Sequence, residues 1–190
     1  TKYFVKRVLS WWMKTYGVDG FRFDLSKGFT QNNTLGNTAA WGHFDQSRIN
    51  ILQDYANHIW SIDPGAYLIL EHFADNDEET ELSSRGMMLW GNMTTQYGQG
   101  AKGYGGSDFS NTWYVQRGWA DPHLVGYMES HDEERLMYKN LSAGNMAPGY
   151  NIRDLDVALG RIELVSAFFY LIPGPKMIWE FGELGYDYSI

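Results

Sequence analysis

Val18–Asp24 reads VDGFRFD and Tyr67–Phe73 reads YLILEHF, and the fold follows from what these two stretches are and what separates them. The first is a short strand. The second is nearly all apolar, the pattern of a strand covered on both faces. Each carries an acid at its carboxyl end, Asp24 and Glu71. Between them, residues 46–61 (QSRINILQDYANHIWS) set Ile49, Leu52, Tyr55, Ala56 and Ile59 on one helical face, and Asp63-Pro64-Gly65 ends that helix. Strand, helix and strand in this order predict a βαβ unit with parallel pairing.

Working outward, residues 2–16 predict an amphipathic helix with Phe4, Val8, Trp11 or Trp12 and Tyr16 on its apolar face, closed by Gly17 in a left-handed backbone. Met87–Trp90 and Leu124–Ser130 read as further strands, and residues 154–171 as a long helix with Leu155, Leu159, Ile162, Val165 and Phe169 aligned. Residues 98–106 (GQGAKGYGG) hold five glycines in nine positions and predict a loop, and Lys176–Phe181 (KMIWEF) predicts the last strand. There is no internal repeat, low-complexity tract or linker.

An α/β chain of alternating short strands and helices fits either an open sheet or a barrel. An open dinucleotide-binding sheet wants a glycine-rich phosphate turn after its first strand, and none follows VDGFRFD. Asp24, Glu71 and Asp132 each fall at the carboxyl end of a predicted strand, where barrels gather their chemistry. The expectation is therefore a partial (β/α)8 TIM barrel, with residues 1–190 as a single segment. A complete barrel takes roughly 250 residues and eight strands. Five are counted here, so the segment reads as the C-terminal half of the barrel, without strands one to three or any C-terminal β-domain. Such a piece is expected to be weakly active or inactive by itself, or to self-associate over its unpaired edges.

The chain carries a formal charge of −8 and a pI near 5.0, which disfavours a nucleic-acid partner. It has no cysteine, so disulfides and thiolate metal sites are excluded. No apolar run reaches the roughly 18 residues of a membrane span. The first residues already read as helix, which leaves an export signal open. Aromatic residues make up 16% of the chain, and flat rings stack on the apolar faces of sugars, although core filling accounts for most of them.

Cleaving an acetal between sugars needs two carboxyl groups in different protonation states, about 5–5.5 Å apart in retaining enzymes. One helix and two loops separate Asp24 from Glu71, which puts them on neighbouring strand ends. Arg22 lies on the same strand face as Asp24 and favours its ionised form. Taken singly, each feature has a plain structural explanation: a bracing Arg–Asp pair, a solvated Glu, a His131-Asp132 pair in a turn.

In conjunction, GFRFDLSKG (20–28), LILEH (68–72), ESHDEER (129–135) and IPGPKMIWEFGELG (172–185) resemble, in order, the motifs of the α-amylase family of retaining glycoside hydrolases. The resemblance implies a hydrolase of α-1,4-glucosidic bonds in starch- or glycogen-type α-glucans or maltooligosaccharides, acting by double displacement. It implies Asp24 as nucleophile, Glu71 as general acid/base and Asp132 as third acid. Arg22, Lys27 and His131 would contact the nucleophile or the substrate. The implied partner is the α-glucan itself. No cofactor is certain, and calcium is an expectation for the full-length protein. Two departures stand out, Gly28 where a His is common and Ser130 where an Asn is usual, and the family's first motif has no counterpart here. WEFG (179–182) is similar to branching enzymes, so a transglycosylase is the alternative enzyme, and a non-catalytic glucan-binding relative is the alternative class. Trp41, Trp90, Trp113 and Trp119 are candidates for sugar stacking, each with loop anchoring as the plainer reading. His43, His58 and His123 read as structural or exposed.

Overall fold

The computed structural model describes residues 1–190, which form two compact units: Thr1–Trp90 with Arg117–His123, and Gly91–Gln116 with Leu124–Ile190.

The first unit opens with α1 (Lys2–Tyr16), closed by Gly17 at φ 62°, whose N–H returns to the Met13 carbonyl. Then come β1 (Gly20–Phe23), α2 (Gln46–Ile62), β2 (Tyr67–Leu70), α3 (Asn76–Ser84) and β3 (Met88–Asn92). β1 and β2 pair in parallel with Phe23 opposite Leu70, and β2 pairs in parallel with β3. The predicted α2 face is the buried one: Ile49, Leu52, Tyr55, Ala56 and Ile59 lie in the core. Asp45 caps this helix, its carboxylate accepting from the Ser47 N–H at 2.9 Å.

α1 departs from the expectation. Leu9 and Met13 are its buried residues, whereas Phe4, Val8, Trp11, Trp12 and Tyr16 are exposed. Periodicity finds an apolar stripe but does not say whether anything in the chain covers it. β2 is likewise covered unevenly, with Leu68 and Leu70 buried and Tyr67 exposed.

β3 runs on into the second unit, where its Gly91 lies against Leu124 and Val125 of β4 (Leu124–Tyr127). Helices α4 (Thr94–Lys102), α5 (Leu136–Ala143) and α6 (Leu155–Leu171) pack around Tyr97, Ala101, Leu136, Met137, Ile162, Val165 and Phe169. A short antiparallel pair, β5 (Met146–Ala147) and β6 (Tyr150–Asn151), precedes α6.

Two expectations fail here. The glycine-rich stretch is not all loop, because α4 runs through Gly98 and Gly100 to Lys102 and is closed by Gly103 at φ 77°. Glycine's helix penalty of about 1 kcal/mol is offset by burying Tyr97 and Ala101. The missing side chains also let Leu136 and Lys139 come up to Gly98. Lys176–Phe181 is not a strand; it meets β4 through a single parallel bridge, Gly126 to Lys176, before Phe181 turns left-handed at φ 66°. The chain is thus an α/β fold whose parallel strands alternate with helices, an arrangement compatible with part of a barrel.

Candidate active site

Parallel pairing with Phe23 opposite Leu70 makes Asp24 and Glu71 the next residues in register, both just beyond the carboxyl ends of their strands. The Glu71 N–H donates to the Phe23 carbonyl at 3.0 Å, and the Ser26 N–H donates to the Glu71 carbonyl at 2.8 Å. Arg22 serves both acids. Its Nη1 donates to Asp24 Oδ1 at 3.1 Å, and its Nη2 lies 3.1 Å from Glu71 Oε2. The guanidinium rests on the Trp90 ring at 4.9 Å, which fixes its height above the sheet.

The two carboxylates stand in different surroundings. Asp24 is 80% exposed, whereas Glu71 is 12% exposed and also accepts the Leu25 N–H at 2.8 Å. The residues that follow turn away through left-handed backbone, Leu25 at φ 41° and Phe73 at φ 53°. Side chains other than glycine, asparagine and aspartate seldom hold that conformation, and it recurs at functional sites. Lys27 is tied down, its Nζ donating to the Phe73 carbonyl at 3.3 Å.

Beneath the carboxylates lies a buried network that sequence reading missed. Ser26 Oγ meets His72 Nδ1 at 2.8 Å, and His72 Nε2 meets Glu78 Oε1 at 2.8 Å. Arg48 donates to Glu78 through Nε and Nη2, both at 2.6 Å. It also donates to the carbonyls of Lys27, Trp41 and His43. A carboxylate only accepts, so Nε2 carries the ring proton and Nδ1 accepts from the Ser26 hydroxyl. Burial keeps His72 below the usual histidine range. Burial also pushes Glu78 up, but the hydrogen bonds from His72 and Arg48 outweigh it and hold Glu78 low.

A serine, a histidine and an acid joined in this order is the pattern of a nucleophilic triad. Here Ser26, His72, Glu78 and Arg48 are all fully buried, so no substrate reaches the hydroxyl. The network fastens the segment after β1 to the one after β2. Only the EH dipeptide at 71–72 hinted at it, since Ser26, Arg48 and Glu78 meet only through the fold. A second brace comes from Glu79, which accepts backbone hydrogen bonds from Phe73 and Ala74 and pairs with Arg117 Nη1 at 2.9 Å. Burial pushes Glu79 up to about 7.

His131 and Asp132 belong to the second unit. His131 Nε2 lies 3.4 Å from Asp132 Oδ2, both side chains are exposed, and the imidazole sits 5.9 Å from the Trp179 ring. The Asp132 N–H donates to Ser130 Oγ at 3.1 Å, and Ser130 in turn donates to Glu133. Sequence reading gave Glu129 no role. It is buried, with Oε2 accepting the Leu136 N–H at 2.6 Å, and burial raises its pKa. No group of three or more His, Asp or Glu side chains converges on one point. No helix is long and apolar enough to cross a membrane.

No protein-family model matches the chain, and no curated protein does. Solved structures do. Eubacterium rectale Amy13B superposes with a TM-score of 0.68 at 18% identity, over 99% of this chain and 35% of that one. A pullulanase from Anoxybacillus sp. LM18-11, complexed with maltotetraose, gives 0.62 at 20% identity over 97% of this chain and 27% of that one. A maltotriose complex of PulA from Klebsiella pneumoniae gives 0.65 at 16% identity over 98% of this chain and 25% of that one. The chain therefore shares its fold with part of amylase- and pullulanase-type glycoside hydrolases. It spans about a third of the length of Amy13B and less of the other two.

Of the four tryptophans, Trp90 is buried under Arg22. Trp119 is buried too, anchored by Asn76 at 3.2 Å and covered by Arg117. Trp113 is exposed and Trp41 half-buried. The three histidines without a motif have local partners: His43 with Asp75, His58 with Ser10, and His123 with Ser83.

Proposed function

We propose that this chain carries the nucleophile and the acid/base of a retaining glycoside hydrolase acting on α-1,4-linked glucans. The observation that carries this reading is the single guanidinium of Arg22 reaching both Asp24 and Glu71 at in-register strand ends. Neighbouring strands lie about 4.7–4.9 Å apart, close to the ~5–5.5 Å that double displacement asks of its two carboxyls.

In this mechanism the exposed Asp24, paired with Arg22, attacks the anomeric carbon while Glu71 delivers a proton to the departing oxygen. Glu71 then takes a proton from the water that releases the sugar from Asp24. Lys27 would steady the loop after Glu71, and the motif resemblance alone assigns His131 and Asp132 a part in glucan binding. The neighbours' complexes with maltotetraose and maltotriose support a glucan as substrate.

Asp24→Asn and Glu71→Gln in the full-length enzyme should each lower turnover of soluble starch by at least about a thousandfold, the scale on which removal of an essential catalytic group is read. Azide should partly rescue an Asp24→Ala or Asp24→Gly variant, since a small anion can occupy the space the carboxylate leaves. Near-normal activity in either carboxamide variant would end the assignment. Product analysis separates hydrolysis, which creates reducing ends, from transfer, which creates none on balance.

A further inference from the structure

We propose that the loop between β1 and α2 carries a sugar-binding subsite built on Trp41, which takes a glucose unit of the glucan away from the bond being cleaved. The inference rests on the glycosidase reading above. An open groove of about 350 Å³ runs along this loop, lined among others by Gly28, Asn32, Asn33, Thr34, Thr38 and Trp41. No charged side chain lines it, which suits a neutral polyhydroxylated ligand better than an ion. Asparagine amides and threonine hydroxyls both donate and accept, as sugar hydroxyls demand.

Trp41 is set in place before any ligand arrives. Its Nε1 donates to Thr34 Oγ1 at 2.6 Å, and its carbonyl accepts from the buried Arg48 at 3.0 Å. A ring held in this way loses little freedom on binding. Gly28 completes the feature: a Cβ there would stand 3.6 Å from the indole, so any larger side chain would crowd the ring. Gly28 lies four positions beyond Asp24, in the segment that follows β1. Trp90 and Trp119 cannot serve this way because protein groups already cover them.

The test compares kcat/KM for maltoheptaose and maltotriose in the full-length enzyme and its variants. Trp41→Ala removes the platform, and Gly28→Val crowds it. Each should reduce the preference for the longer substrate by about five- to tenfold, the range expected when an aromatic binding residue is truncated. Trp41→Phe, which keeps a flat ring, should retain most of it. An unaltered preference in folded Trp41→Ala and in Gly28→Val would overturn the subsite; should Trp41→Ala fail to fold, Gly28→Val decides. If the wild type cleaves neither substrate, the glycosidase reading fails. The subsite is then judged by quenching of tryptophan fluorescence on maltoheptaose titration, expected in the wild type and weakened in Gly28→Val. No quenching, or equal quenching in both, would overturn it.

Discussion

Arg22 does more than the pairing visible in the sequence. Two-residue periodicity puts it on the face of Asp24, and the ion pair at 3.1 Å is where that rule places it. Its second partner, Glu71, follows from the register of β1 against β2, a long-range fact that no local pattern encodes. Lysine offers one compact charge in place of a planar fork, so Arg22→Lys cannot hold both carboxylates in the same way. We expect kcat to drop by about ten- to a hundredfold, the worth of one hydrogen bond to a charged group, while KM shifts far less. An equal rise in KM with kcat preserved would show Arg22 acting on substrate binding instead. His72 marks the limit of reading at this scale. The EH dipeptide was visible, but a histidine fully enclosed by Ser26 and Glu78 looks no different in sequence from one facing solvent.

At the scale of elements, α3 supplies two adjacent acids with different tasks. Glu78 belongs to the buried ion pair with Arg48, and leaving one member of such a pair alone typically costs ~3–5 kcal/mol. Arg48→Met should lower the denaturation midpoint accordingly, and Arg48→Met with Glu78→Leu should recover much of the loss. Glu79 makes stability depend on pH. Its folded pKa of about 7 lies above the ordinary 4.5, so the protonated form is the one the fold favours. Its contribution is complete below 4.5 and is lost as pH rises through 7. His72 acts in the opposite sense: its folded pKa is depressed, so its contribution is lost as pH falls. Glu79→Gln against wild type isolates the first effect, and the stability difference between them should move in the variant's favour from pH 4.5 to 7. The helices and strands with clear periodicity were legible to within a few residues. The face of α1 proved exposed, and α3 and α5 went unread; the elements assigned wrongly were α4 and residues 176–181. In α4, packing overruled glycine's propensity. At 176–181 an apolar run had the composition of a strand but only one bridge to pair with.

For the whole molecule, the acidic, cysteine-free composition bounded partners and cross-links, and the order of its strands and helices gave the α/β architecture that the solved neighbours share. What composition could not show is which apolar surfaces go uncovered. Phe4, Trp11, Trp12 and Tyr16 form an exposed aromatic face on α1. Patches of this kind mark surfaces that other protein surfaces cover. The 190-residue chain expressed alone should therefore sediment above monomer mass at micromolar concentration. Phe4→Ser with Trp11→Ser should return it toward monomer, and monomeric wild type under those conditions would contradict this.

Leu25 and Phe73 have a bearing on how this protein could be improved in the laboratory. Each holds a left-handed backbone one or two positions after a proposed reacting acid, a conformation costing about 1–2 kcal/mol for a residue with a Cβ. Glycine would remove that cost but add a comparable one by loosening the unfolded chain, so Leu25→Gly or Phe73→Gly should come close to thermal neutrality. The same exchange would free the segments that aim Asp24 and Glu71. A campaign ranking variants by melting temperature alone would thus pass such glycines as harmless while accumulating slower catalysts.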